Sequence, residues 1–453
     1  MPELGQYRIA GSTAVEIAAS AERAIQEGAL GGGDLLPTIR ALARALGISP
    51  ATIGSAYRIL RHRGLVVADG RHGTRVARRP ALRAPTPARR GALGADTTTT
   101  SPFRDLTSGL PDPALLPPLA PAVARIDFER RLRMSALEAA DPELIELAAA
   151  SFEADGLPSG ALAITNGTFD AIERVLGAHL RPGDRVIVED PTYVSIRDLL
   201  LSLGLVEVPV AVDECGMLPE SFEAALARGA AAVLIVPRAQ NPFSSALDPE
   251  RTAALRGLLE RRPELLVIED DHAGSVAGAP FSTLIAPSWP RWAVIRSTSK
   301  LLHPDLRLAL VAGDETTIAR VEGRQSLGPR WVSHVSQAIV AELMRDPELE
   351  AQAARARDAY TSRRAALVHA LGQHGIRAHG RSGLNMWVPV REEAPVTRSL
   401  MDAGWLVLAG EHFRIETPPG IRVTIATLKP DEAPALAHEI AAAEHAGRPR
   451  RAY

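Results

Sequence analysis

Lysine is nearly absent from this chain. Of the 51 lysines and arginines in its 453 residues, only Lys300 and Lys429 are lysines. Arginine serves wherever a cation need only be positive, so a surviving lysine can mark a place where a primary amine must lose its proton and attack a carbonyl; Lys300 is a Schiff-base candidate, and composition alone leaves a solvated loop lysine as the alternative. Cysteine is scarcer still, and the single Cys215 excludes an intramolecular disulfide framework. No apolar run approaches the roughly 20 residues of a membrane span. Residues 10–20 are broken by Ser12, Thr13 and Glu16, unlike the apolar core of a secretion signal. These absences predict a cytoplasmic protein, and the length predicts two or three folding units with a sizeable core.

Acidic residues are scarce only at the start. Residues 1–90 hold fourteen arginines against six acids, a charge of +8, which leaves −10 for the remainder of a chain whose total is −2. A basic module joined to an acidic body predicts that the first binds a polyanion and the second does something else.

Apolar residues at helical spacing predict a helix over Thr13–Glu27, a second after Pro37 that stops at Gly47, and a third over Ala51–His62 with Ser49 as its N-cap. Ile53, Ala56, Tyr57 and Leu60 mark the inner face of the third. Two short runs about a turn at Asp69-Gly70, Gly64–Ala68 and Arg71–Val76, read as a two-stranded wing. Residues Leu36–Ala43 through Gly73–Val76 resemble the winged helix-turn-helix of the GntR regulators. The resemblance implies a DNA-facing surface of Arg40, Ser49, Thr52, Tyr57 and Arg58, with Arg71, His72 and Gly73 on the wing. Pro50 and Gly54 stand where that family often has arginines. Chemically, a guanidinium can grip a guanine edge or a phosphate, and hydroxyls at a helix start can bond phosphate. Residues 79–103 are rich in proline, glycine and threonine without apolar periodicity and read as a flexible tether.

Beyond the tether, helical patterns alternate with short β-rich runs, which predicts an α/β domain with a mainly parallel sheet and a ligand site at the carboxyl ends of its strands. Asp270 follows the run Leu265–Ile268, and a carboxylate there can hold a ring nitrogen protonated. Asn166-Gly167-Thr168 opens a helix in the manner of a phosphate turn. Tyr193 offers a stacking face, Asn241 a donor to a phenolate oxygen, and Ser297, Ser299 and Arg307 surround Lys300 with phosphate ligands. Jointly these are the parts of a pyridoxal 5′-phosphate site.

Residues from about 104 onward look like a fold type I aminotransferase. A GntR-like winged helix tethered to such a body resembles the GabR-like MocR regulators. The resemblance implies a winged helix-turn-helix over 1–78, a linker over 79–103, and over 104–453 a cofactor-binding, dimerising body with a large α/β domain and a smaller C-terminal α+β domain from about 330. By it, Lys300 forms the aldimine, Asp270 pairs with the pyridine nitrogen, Tyr193 stacks, Gly167, Thr168, Ser297 and Arg307 hold the phosphate, and Arg422 takes an effector carboxylate. His272 stands in place of the tyrosine that bonds O3′. Because an ordinary imidazole titrates near neutrality, it predicts a pH-sensitive site. Ser195 replaces an effector arginine of GabR-like proteins, and Phe243-Ser244 replaces Thr-Gly after Asn241-Pro242. The implied function is a homodimeric, head-to-tail transcription regulator that binds double-stranded DNA and senses pyridoxal phosphate or its adduct with an amine or amino acid. The alternative is a working aminotransferase with an appended DNA-binding module.

Overall fold

The start of the first helix, α1 (Ala14–Gln26), is set by a reciprocal cap: Thr13 Oγ1 accepts from Glu16 N–H at 3.2 Å, and the Glu16 carboxylate accepts from Ser12 N–H at 2.8 Å. In the computed structural model, described over residues 9–26, 29–62, 65–68, 73–77, 103–129 and 139–446, two further helices follow. Helix α2 (Ile39–Leu46) is capped by Thr38 Oγ1 and stopped by Gly47 in the left-handed region at φ 68°, which only glycine adopts at no cost. Helix α3 spans Pro50–His62, and Ser49 Oγ accepts from Thr52 N–H at 3.1 Å. Strands β1 (Val66–Ala68) and β2 (Thr74–Val76) pair antiparallel as the wing. Ile17, Ala21, Leu42, Ile53, Tyr57, Leu60, Leu65 and Val76 form one core. The turn at Asp69-Gly70, Arg71, His72 and the tether residues 79–102 lie outside the described residues.

After β3 (Arg104–Asp105), the body is built on an eight-stranded sheet. Its strands are β4 (Ala161–Thr165), β5 (Arg185–Asp190), β6 (Val206–Asp213), β7 (Gly216–Met217), β8 (Ala232–Ile235), β9 (Leu266–Asp271), β10 (Trp292–Ser297) and β11 (Ala309–Gly313). The order is β4-β11-β10-β9-β8-β5-β6-β7. Strands β8, β9 and β10 run parallel, whereas β11 is antiparallel to both β10 and β4, so one side of the mainly parallel sheet is mixed. Every residue of β8, β9 and β11 is buried, as expected of strands covered on both faces. The pattern of the sequence did not mark β4 or β11, whose apolar runs rich in alanine lack alternation. Strand β9 also runs on to Asp271, so Asp270 lies within the strand.

A second core surrounds a three-stranded antiparallel sheet of β12 (Asn385–Pro389), β15 (Gly420–Thr424) and β14 (Leu408–Ala409). Helices Leu349–Gln373 and Ala433–Ala446 supply Tyr360, Leu367, Leu436 and Ile440 against Met386, Val388, Ile421 and Val423. The short β13 (Trp405–Leu406) pairs with β3. Among the described residues no helix is long and apolar enough to cross a membrane.

Candidate cofactor site and nucleic-acid interface

Parallel pairing of β9 and β10 puts Asp270 opposite Ile295, and the chain then turns through Ser297–Ser299 to bring Lys300 back over the carboxyl end of the sheet. Burial is the dominant influence on both groups. It lifts the Asp270 carboxyl to about 8, with the charge of Asp271 adding and that of Lys300 opposing. It pulls the Lys300 amine down to about 8, aided by the charges of Arg422 and Arg307 and opposed by Asp270. Lys300 Nζ donates to the Gly109 carbonyl at 2.5 Å. Asp270 Oδ1 is buried with no hydrogen-bond partner among the described residues, a state that a protonated ring nitrogen would relieve.

Asp271, the next residue, points into the opposite face and is held by two arginines. Arg238 donates to it at 2.7 and 2.8 Å and Arg296 at 3.0 Å, while Arg296 also reaches Asp155 at 2.5 Å. Burial works against ionisation of Asp271, and these bonds and charges outweigh it and hold its carboxyl below the ordinary range. The guanidinium of Arg296 lies 4.6 Å from the Phe152 ring centroid and that of Arg238 5.1 Å from Phe281. This network fixes the end of β9 and hence Asp270. Nothing short-range in the sequence marks it, since its members are dispersed between 155 and 296.

The residues expected at a phosphate lie where β4 gives way to the helix Thr168–His179 (α4). Gly167 has φ 88°, and a Cβ on it would sit 3.3 Å from Arg307 Nη2, so a side chain would fill the space beside the guanidinium. Thr168 Oγ1 is buried and unpartnered. Arg307 itself is held in the left-handed region at φ 48°. Ser297 Oγ accepts from Ser299 N–H at 3.2 Å. Asn166 is exposed and its N–H is taken by Asp170 at 2.9 Å, so its side chain stands outside the buried part of this group.

Tyr193 is half-buried, with its ring 5.9 Å from that of Phe169, and it packs on an apolar cluster of Phe243, Trp387 and Phe413. His272 Nδ1 lies 3.8 Å from Asp270 Oδ2, too far for a hydrogen bond. Burial, with the charge of Lys300 adding, pushes the imidazole down to about 4, so it is neutral at physiological pH. This corrects the expectation of titration near neutrality: desolvation overrides the ordinary value.

On β15, Arg422 is 2% exposed and its guanidinium meets only neutral acceptors. Nη1 donates to Asn241 Oδ1 at 3.2 Å, Nη2 donates to the Thr107 carbonyl, Nε has no partner, and the group lies 5.0 Å from the Phe413 ring centroid. Burial pulls it down to about 10, still a cation at pH 7. A buried guanidinium with spare donors is a receptor for a carboxylate. The carbonyls of Thr107 and Gly109, which complete the site, carry no signal in a sequence.

In the winged helix, Arg40, Ser49 and Arg58 are exposed, and Thr52 and Gly73 are half-buried. Ser49 and Thr52 hydroxyls lie 2.9 Å apart at the start of α3. Tyr57 is not on this surface. Its side chain is 1% exposed and its hydroxyl donates to the Pro37 carbonyl at 2.7 Å, so it is a core residue tying α3 to the start of α2, which corrects its expected place at DNA.

A DNA-binding winged helix on one chain with an α/β body that presents a buried lysine, an unpartnered carboxyl oxygen and a Gly-Thr helix start beside an arginine defines a class: a regulator carrying an aminotransferase-type body. Residues 106–440 match the family described as aminotransferase class I and II, and residues 13–76 match the bacterial regulatory proteins of the gntR family. The chain belongs to the MocR-type regulators, which join these two domains. It is 40% identical over 435 residues, 95% of this chain and 98% of the relative, to the vitamin B6 salvage pathway transcriptional repressor PtsJ of Salmonella typhimurium. It is 27% identical over 360 residues, 77% of each chain, to the pyridoxine biosynthesis transcriptional regulator PdxR of Corynebacterium glutamicum. The kynurenine aminotransferase of Pyrococcus horikoshii shares the body's fold at a TM-score of 0.69 and 22% identity, over 77% of this chain and 92% of that one. Pyridoxal 5′-phosphate is the cofactor this family implies. The unpartnered Asp270 Oδ1 and Thr168 Oγ1 and the side-chain-free space at Gly167 fit it.

Proposed function

We propose that the body of this transcription regulator senses pyridoxal 5′-phosphate, alone or as its adduct with a small amine or amino acid, and that occupancy changes how the winged helices meet double-stranded DNA. The observation that carries this reading is the buried, unpartnered Asp270 carboxyl on the strand beside the one leading to Lys300. The likeness to PtsJ, a repressor of vitamin B6 salvage, and to PdxR, a regulator of pyridoxine biosynthesis, supports it.

When bound, the cofactor supplies an aldehyde carbon open to amines. Lys300, with its amine at about 8, is the neutral nucleophile for it. Asp270 receives the ring nitrogen, Tyr193 stacks, and Asn241 with neutral His272 bonds the phenolic oxygen. Gly167, Thr168, Ser297, Ser299 and Arg307 hold the phosphate, with Asn166 at its exposed edge, and Arg422 receives an effector carboxylate. On the DNA side, Arg40, Ser49, Thr52 and Arg58 with the wing residues Arg71, His72 and Gly73 face the duplex. The division is a module over 1–78, a tether over 79–103 and a body over 104–453 that pairs head-to-tail with a second copy in the cytoplasm.

The test is to titrate the full chain with pyridoxal phosphate while following visible absorbance and salt-dependent DNA binding. The expected result is a new absorbance band, lost in Lys300→Ala, that accompanies a change in DNA affinity. Binding without any change in DNA affinity would remove the sensor reading. Multiple-turnover transfer of an amino group to a keto acid would favour the aminotransferase reading, which the buried cation at Arg422 supports.

A further inference from the structure

Two of the cations that face the site, Lys300 and Arg422, are both engaged by one short stretch of backbone. Gly109 O accepts from Lys300 Nζ and Thr107 O accepts from Arg422 Nη2. The stretch is pinned on each side of these carbonyls. Upstream, β3 pairs with β13, Arg104 meets Glu432 at 2.8 Å, Leu106 O accepts from Thr424 N–H, and Asp105 Oδ1 accepts from Thr107 N–H at 2.8 Å and from its hydroxyl at 2.6 Å. Downstream, Asp112 N–H donates to Tyr360 Oη at 3.1 Å, and its carboxylate meets Arg363 at 2.8 Å. Between the pins, Ser108 and Gly109 are half-buried and Leu110 is 53% exposed, so of residues 108–111 only Pro111 is buried. In the sequence this stretch directly follows the tether from the winged helix.

A neutral carbonyl accepts a charge-assisted bond but brings no compensating charge to a buried cation, so a carboxylate outcompetes it. The amine of Lys300 cannot both donate to Gly109 O as an ammonium and attack a carbonyl carbon as a neutral nucleophile.

We propose, resting on the sensor reading above, that residues 106–112 are a strap that competes with the ligand for its own site and reports which class of ligand is held. Pyridoxal phosphate, which has no carboxylate, displaces only Gly109 O from Lys300. A pyridoxyl–amino acid ligand has no free aldehyde for Lys300, so it leaves that amine free to donate to Gly109 O, and its carboxylate displaces Thr107 O from Arg422 instead. The two classes of ligand therefore release the strap at different carbonyls.

Hydrogen–deuterium exchange of the full-length protein, read on peptides covering residues 104–115, tests this. Three states are compared: ligand-free, with pyridoxal 5′-phosphate, and with N-(5′-phosphopyridoxyl)-L-leucine. Loss of a hydrogen bond to a charged donor raises local opening about tenfold. The expected result is faster exchange over 107–112 with each ligand, centred near Gly109 with the first and near Thr107 with the second. Ligand binding is followed separately by absorbance, so failure of pyridoxal phosphate to bind removes the sensor reading. Binding with strap exchange unchanged or slowed overturns the strap alone, and the same pattern of acceleration with both ligands overturns the role of Thr107 and Arg422. Tyr360→Phe, which removes the downstream acceptor without touching the ligand, gives a second readout. A weakened competitor raises affinity for both ligands, whereas a merely structural Tyr360 would lower it.

Discussion

Lys300 is one of two lysines, which makes its ionisation directly measurable. Burial and the positive charges of Arg422 and Arg307 bring its amine from the ordinary 10.5 to about 8. At pH 7 about one amine in ten is then neutral, against about one in 3,000 for an ordinary lysine, a gain of about 300-fold in the nucleophilic form. Competitive acylation of the ligand-free protein with acetic anhydride, resolved peptide by peptide, reads the neutral fraction at each pH, and Lys429 in the same digest corrects for reagent consumption. Labelling of Lys300 is expected to rise about tenfold per pH unit below 8 and to level off above it. The causes can be separated by sign. Arg422→Gln removes the largest charge acting on the amine and moves the inflection up. Asp270→Asn removes the charge that opposes the shift and moves it down. An inflection near 10.5, or movement of both variants in one direction, would refute the electrostatic account of the site.

The same shift has a stability consequence. Because the folded value lies below the unfolded one, the unfolded chain holds the proton more tightly, so the penalty is fully present below pH 8 and fades as pH rises to 10.5. Lys300→Met should stabilise the ligand-free body by about 3 kcal/mol at pH 7, with the difference shrinking above pH 8 in urea unfolding. Asp271→Asn leaves Arg238 and Arg296 buried with one fewer carboxylate and should cost about 3–5 kcal/mol, read as a lower urea midpoint; an unchanged midpoint would count against the network as the brace of β9. Tyr57→Phe leaves the Pro37 carbonyl without its donor and should cost about 1 kcal/mol, seen as a lower melting temperature of the winged helix. DNA affinity and its salt slope should stay unchanged, and a loss of affinity in the folded variant would return Tyr57 to the DNA surface.

What could be read from the sequence was chemistry carried by neighbours in the chain. Gly167-Thr168 stands at the helix start that the local pattern marks and Asp270 one residue inside the end of β9, and Gly47 and Ser49 delimit the helices of the DNA-binding module because a left-handed cap and an N-cap are local devices. What could not be read was set by burial and by distant partners. Tyr57 shows the division within one residue: helical spacing turns it inward, and the aromatic hydroxyl that suggests a polar surface is satisfied by Pro37, 20 positions away. His272 would titrate near neutrality in water, and only the fold's removal of that water brings it to about 4. Asp271 looks like a duplicate of Asp270, yet alternation along β9 sends the two to opposite faces, one to a pair of arginines and the other to an empty acceptor position. The strap is the extreme case. Its working atoms are the carbonyls of Thr107 and Gly109, which every residue possesses, so composition and spacing carry no trace of them. Their role comes from closure of Lys300 and Arg422, 191 and 315 positions away, onto one turn of backbone. A cation that must wait for a ligand in a dry site needs an acceptor meanwhile, and backbone supplies one that a carboxylate can displace.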